Sequence, residues 1–109
     1  MFASLSATRT KPLFKWDLPA FDWPAAEPPR YKYPLNANKE YNAAQDASSI
    51  ADVRSKIAQW KEEKGCEIAA VIIEPLMSEG GDLYISPGYA QKLRTLTKEL
   101  GVYMIVDEV

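Results

Sequence analysis

Ala69-Ala-Val-Ile-Ile-Glu74-Pro75 and Val102-Tyr-Met-Ile-Val106-Asp107-Glu108 are two short apolar runs, and each ends in carboxylates. Runs of this length and β-branched content, separated by a helix-length segment, read as buried parallel strands of a βαβ unit. The expected strands are Ile68–Ile73 and Val102–Val106. Between them, Ser86 is placed to cap a helix with Pro87 at its first position. Tyr89, Leu93, Leu96 and Leu100 form one apolar face of that helix, and Gly101 ends it. A connection of this kind is a crossover. In open parallel sheets, ligands sit beyond the carboxyl ends of the strands, which is where Glu79 and Asp107 fall.

Working outward from this unit, an earlier helix is expected to open at Ser49, because Ser49-Ile-Ala-Asp52 has the form of a capping box. Ile50, Val53, Ile57 and Trp60 then share a face, and Gly65 follows as the terminating residue. Lys61-Glu-Glu-Lys64 reads as a solvated last turn. Before this helix, six of the eight prolines (Pro12, Pro19, Pro24, Pro28, Pro29, Pro34) alternate with Phe14, Trp16, Phe21, Trp23, Tyr31 and Tyr33. Proline fixes φ and removes a donor, so this is an extended arm. Its aromatic content argues against disorder and for packing on a surface, with a sticky linker as the plainer reading. The chain divides into an arm at 1–46 and an αβαβ piece at 47–109.

Composition narrows the function classes. Thirteen basic and fifteen acidic residues give a net charge of -2, with no block of one sign to favour nucleic acid or an anionic membrane. No histidine is present and Cys66 is the single cysteine, so a histidine-based triad, a histidine-rich zinc site and an internal disulfide are all excluded. Cys66 reads as packing, since nothing beside it in sequence lowers its pKa. No apolar run approaches the ~20 residues needed to span a bilayer, and Met1-Phe-Ala-Ser-Leu-Ser-Ala7 lacks the form of a targeting segment. Val109 directly follows an expected central strand, and we read the chain as a piece of a longer protein.

Asp107 is the foremost candidate for chemistry, because a carboxylate at the end of a buried strand needs a partner. Three partners fit: a magnesium ion, as in a Walker B strand; the protonated ring nitrogen of pyridoxal phosphate; or the backbone of the next turn, in a structural role. No G-x-x-x-x-G-K-[ST] loop accompanies it for the first. The Ser78-Glu79-Gly80-Gly81-Asp82 loop is the second candidate, with Glu79 able to hold a cation or pair with an arginine; paired glycines also mark ordinary turns. Glu74, before Pro75, is placed to orient that loop.

Ile73-Glu-Pro-Leu-Met-Ser-Glu-Gly-Gly81, followed by Ile105-Val-Asp-Glu-Val109, resembles the cofactor-side core of class III pyridoxal-phosphate-dependent aminotransferases. Lys15-Trp-Asp-Leu-Pro-Ala-Phe-Asp-Trp-Pro24 and Arg30-Tyr-Lys-Tyr-Pro34 resemble the arm of the eukaryotic 4-aminobutyrate branch of that family. The resemblance covers nearly the whole chain. It implies an α/β fold, part of the large domain of a fold-type I pyridoxal-phosphate-dependent transferase, with parallel strands and crossover helices behind the arm. It further implies pyridoxal 5'-phosphate as cofactor, and 4-aminobutyrate and 2-oxoglutarate as substrates giving succinate semialdehyde and glutamate. A homodimer and a mitochondrial matrix location, with the cytosol as alternative, follow from the same resemblance. Asp107 then has the cofactor-binding role at the pyridinium nitrogen. Glu79 has the catalytic-site role, pairing with an arginine supplied later in the chain. Met77 departs from the glutamine common at that position of the family.

The lysine that forms the Schiff base, the glycine-rich phosphate-binding turn and the substrate-carboxylate arginine are expected outside these residues, so the 109 residues alone are expected to be inactive. Three other readings stand beside this one: a different ω-amino-acid aminotransferase of the same class, a nucleotide-hydrolysing enzyme with Asp107 and Glu108 on magnesium, and a non-catalytic product that acts as an interaction module through its arm.

Overall fold

The computed structural model describes residues 2–9 and 12–109. Met1 and the side chain of Phe14, both used in the sequence reading, lie outside the described residues. In chain order the elements are α1 (Phe2–Ala7), 3-10 turns at Pro12–Lys15 and Leu35–Asn38, α2 (Lys39–Lys64), β1 (Ala70–Ile73), β2 (Leu76–Met77), β3 (Leu83–Tyr84), α3 (Pro87–Leu100) and β4 (Tyr103–Val106). No helix among the described residues is long and apolar enough to cross a membrane.

The βαβ expectation holds. β1 and β4 pair in parallel, with Ala70 opposite Tyr103 and Ile73 opposite Val106, and α3 forms the crossover between them. Ser86 caps α3 through a 2.9 Å bond from the Tyr89 N–H to its hydroxyl, Pro87 opens the helix, and Gly101 ends it in the left-handed region at φ 68°. Only glycine takes that conformation without a Cβ penalty. Tyr89, Leu93 and Leu96 are buried as expected, and Thr97 joins them. Leu100 differs: it lies in the last turn, outside the core cluster, and is 37% exposed.

Val53 of α2 meets Tyr89, Leu93 and Leu96 of α3 to make the core, with Ile50, Ile57, Val71, Ile73, Ile85 and Met104 packed around it. Along β1 and β4 the residues alternate: Val71, Ile73 and Met104 face this core, whereas Ile72 and Ile105, paired in register, are about half exposed on the other face. The sequence reads as a sheet apolar on both faces, and one of those faces is open here.

The first long helix corrects one expectation. It opens at Lys39, not Ser49, and runs 26 residues to Lys64, with Gly65 at φ 66° closing it. Ala43, Ala44, Gln45 and Ala47 are strong helix formers, and neither glycine nor proline interrupts the segment. Ser49 is therefore an interior residue. Its hydroxyl donates to the Glu27 carbonyl at 2.6 Å and lies 2.9 Å from the Tyr89 hydroxyl.

Residues 27–32 lie extended along α2 and run opposite to it. The backbone N–H groups of Glu27, Arg30 and Lys32 donate to the side chains of Asp52, Gln45 and Asn42 at 2.8, 3.3 and 2.8 Å. Asn42 returns a bond to the Lys32 carbonyl at 3.0 Å. Helix side chains thus take up three of the four N–H groups that the prolines leave in this stretch, which is how a proline-rich segment is held along a helix.

Candidate functional site

β1 ends at Ile73, and its chain passes through Glu74 and Pro75 into a small hairpin that the sequence did not announce. β2 and β3 pair antiparallel, Leu76 with Tyr84 and Met77 with Leu83. Ser78–Asp82 form the tip. There the N–H groups of Gly81 and Asp82 both donate to the Ser78 carbonyl, at 3.1 and 3.2 Å. Gly81 at φ 111° and Asp82 at φ 54° turn the chain. A Cβ on Gly80 would stand 3.3 Å from the Met77 Cβ, so a side chain there would press on its neighbour. Glu79 is exposed at this tip, and among the described residues no hydrogen bond or ion pair engages it. Glu74 is also exposed.

Asp107 leaves β4 at the same edge. Its N–H donates to the Ile73 carbonyl at 2.9 Å, continuing the parallel ladder one step past the strands. Its side chain is partly buried, and Oδ1 accepts the Val109 N–H at 3.1 Å. This is a local turn contact of the structural kind, and it leaves the second carboxylate oxygen without a partner among the described residues. A half-buried carboxylate with one free oxygen at a strand end fits a protonated ring nitrogen. One fixed contact to that nitrogen is what these residues can supply.

Beside Asp107 is an open hollow of about 320 Å³ between the strand ends and the start of α3, lined by Ile73, Pro75, Ile85, Met104, Val106 and Glu108 among others. Asp107 is not in its lining. Among the described residues no three His, Cys, Asp or Glu side chains group as a metal site. The topology thus brings Asp107 and the Glu79 hairpin to one edge of the strand pair, but no direct contact joins them. Cys66 is exposed, not packed, which corrects the sequence reading of that residue.

A polar cluster that no single motif announces sits where the hairpin's returning leg becomes α3. The buried Asp46 of α2 accepts the Tyr31 hydroxyl on Oδ1 at 2.5 Å and the Ser86 hydroxyl on Oδ2 at 3.2 Å. The Ser86 N–H donates to the Tyr31 hydroxyl at 3.1 Å. Burial, and then the bond to the Asp46 carboxylate, push the Tyr31 phenol above its ordinary pKa; burial does the same to Tyr89. A signal existed: Asp46 and Ser49 extend the Val53–Ile57–Trp60 face backwards at helical spacing, so polar residues stand at positions that face the core.

Comparison with known proteins places this geometry. The family described as Aminotransferase class-III matches residues 1–109. A probable mitochondrial 4-aminobutyrate aminotransferase of Caenorhabditis elegans is 53% identical over 105 residues, which is 96% of this chain and 22% of that protein. The 4-aminobutyrate aminotransferase of Kluyveromyces lactis is 47% identical over 109 residues, 100% of this chain and 22% of that protein. Among solved structures, lysine aminotransferase from M. tuberculosis in the internal aldimine form superposes with a TM-score of 0.83 at 31% identity, over 100% of this chain and 24% of that one. The chain therefore spans 22% of the length of each of these two curated relatives. With a parallel βαβ unit, two carboxylate-bearing strand exits and a family match over every residue, the chain belongs to the class III aminotransferases.

Proposed function

We propose that these residues are part of the cofactor-binding large domain of a transaminase that moves the amino group of 4-aminobutyrate to 2-oxoglutarate. Succinate semialdehyde and glutamate would be the products, in a ping-pong sequence. The observation that carries this reading is the likeness, over nearly the whole chain, to relatives named for 4-aminobutyrate. The position of Asp107 at the end of β4, with one carboxylate oxygen free, agrees with it.

Pyridoxal phosphate, when bound, supplies a sink for the electron pair left when the substrate carbon loses its proton. In this reading Asp107 holds a proton at the ring nitrogen by accepting its N–H, and the charge pair keeps that nitrogen cationic at neutral pH. The ladder bond from Asp107 N–H to Ile73 holds the Asp107 backbone at the strand end, and the Val109 N–H holds one oxygen of its carboxylate. Glu79, on its hairpin, faces the substrate side and pairs with an arginine from a later part of the chain. The pair would open and close as substrates with one or two carboxylates alternate. The division of the chain into an arm and a cofactor-domain piece, with the boundary moved from 46/47 to the start of α2 at Lys39 because that helix is continuous to Lys64, a homodimeric whole protein and a mitochondrial matrix location belong to the same proposal. The location is supported by the name of the C. elegans relative.

A second reading within the family is a different ω-amino donor, favoured by the lysine aminotransferase among the structural neighbours. The test is to purify the full-length protein and record its pyridoxal absorbance. Glutamate formation from 2-oxoglutarate is then followed with 4-aminobutyrate and with lysine as donors. A clear preference for 4-aminobutyrate is expected. Preference for lysine would establish the second reading, and absence of the cofactor band would remove both.

A further inference from the structure

We propose that Asp46 is a positioning residue for the Glu79 hairpin, acting through Tyr31 and Ser86; this rests on the substrate-side role given to Glu79 above. Asp46 is 7% exposed, and a carboxylate that far from water is costly unless its oxygens are used. Both are used, and both on the same junction. Oδ2 accepts the Ser86 hydroxyl directly, while Oδ1 accepts the Tyr31 hydroxyl, which in turn accepts the Ser86 N–H. Ser86 is thus held by its backbone and by its side chain, at the point where the returning leg of the hairpin becomes α3.

Capping does not account for this arrangement. The Ser86 hydroxyl caps α3 by accepting from Tyr89 N–H, and that bond needs no carboxylate behind it. What the carboxylate and the tyrosine add is a fixed position for residue 86 relative to α2. The junction is tied onward to the other leg, because Ile85 N–H donates to the Pro75 carbonyl at 3.1 Å. Beyond that, the two β2–β3 pairs and the two bonds to the Ser78 carbonyl lock the tip to the legs. Each link from Asp46 to the Glu79 backbone is a short bonded step, so a shift at Ser86 is carried to Glu79. Tyr31 comes from the extended segment along α2, which gives that segment a part in the site.

The test uses the full-length enzyme loaded with cofactor. kcat/KM per loaded site is measured separately for the 4-aminobutyrate and 2-oxoglutarate half-reactions in wild type, Tyr31→Phe, Glu79→Ala and the double variant. Tyr31→Phe is expected to weaken the half-reaction that Glu79→Ala weakens more, by about fivefold relative to the other, the scale of one lost hydrogen bond. In the Glu79→Ala background the same change should do less than about twofold, because the two residues act on one thing. Asp46→Asn, which keeps one carbonyl acceptor, should give a smaller split in the same direction; it carries the test alone if Tyr31→Phe does not load cofactor. Equal losses in both half-reactions, or full additivity with Glu79→Ala, would show a purely structural cluster and overturn the proposal. If Glu79→Ala itself affects both half-reactions equally, the role of Glu79 fails, and the positioning role falls with it.

Discussion

Asp107 and Glu79 differ in how far these residues determine their surroundings. Asp107 is set by a ladder bond to Ile73 and a turn bond from Val109, so its carboxylate has a defined place before any ligand arrives. If it stabilises a cationic ring nitrogen, its loss removes a preorganised charge from the reacting group, an effect worth about a hundredfold or more in rate. Asp107→Ala in the full-length enzyme is therefore expected to lose most turnover in a steady-state assay with cofactor in excess; near-normal turnover would show that the carboxylate serves only its turn. Glu79 is exposed and no hydrogen bond or ion pair engages it among the described residues, so the pairing proposed for it needs an arginine from outside them. For an ion pair that forms with one substrate and opens with the other, Glu79→Ala should change the kcat/KM ratio of the two half-reactions by about tenfold, the scale of one charged hydrogen bond. Equal small effects on both would contradict the pairing.

At the scale of elements, the two helices meet through polar groups as well as through Val53 and Leu93. Tyr89 is buried with its hydroxyl against Ser49, and its phenol holds its proton more tightly folded than unfolded. Its contribution is then complete below the unfolded value of about 10 and is lost as pH rises through the raised folded value. Denaturant midpoints of the full-length protein should accordingly favour wild type over Tyr89→Phe at pH 7, and the gap should close above about pH 10. A gap constant across that range would mean the phenol does not ionise at a raised pH. α3 was legible end to end because its signals are local: a serine cap, a proline at the first position, four apolar residues at helical spacing and a closing glycine. The start of α2 is not legible locally because Ser49 and Asp52 copy a capping pattern, while what decides their role is tertiary. Ser49 binds the Glu27 carbonyl and Asp52 binds the Glu27 N–H, contacts that no local window contains. The β2–β3 hairpin is hidden for the opposite reason. Two residues per strand leave no periodicity to read, and only Gly80-Gly81 marked a turn. Of the candidate site, both carboxylates could be placed from strand pattern and family likeness, but the Asp46–Tyr31–Ser86 cluster joins three distant parts of the chain.

For the molecule as a whole, surface area sets the strongest constraint. The accessible surface is 7916 Å², whereas a compact monomer of 109 residues exposes about 6,100 Å². The radius of gyration of 14.7 Å likewise exceeds the ~13 Å of a compact domain this size. The excess is of the order of a stable protein interface, and much of what is exposed is apolar: Tyr103 at 77%, Ile72 at 50% and Ile105 at 48% on the open sheet face, with Trp16 at 70% and Phe21 at 60% on the arm. A parallel sheet is stable when both faces are covered, and here α3 and α2 cover one. The buried apolar core, Val53, Tyr89, Leu93, Leu96 and Val102, is small for the backbone it must order. Residues 1–109 produced alone should therefore elute from gel filtration as an expanded or associated species and bind a hydrophobic dye. They should also show no pyridoxal band when mixed with the cofactor. The same residues within the full-length protein should show slow hydrogen exchange in α3 and β4, because the missing layer is then in place. A monomeric, dye-silent fragment with a sharp cooperative unfolding transition would mean that the open face needs no cover, and that this βαβ unit is a domain in its own right.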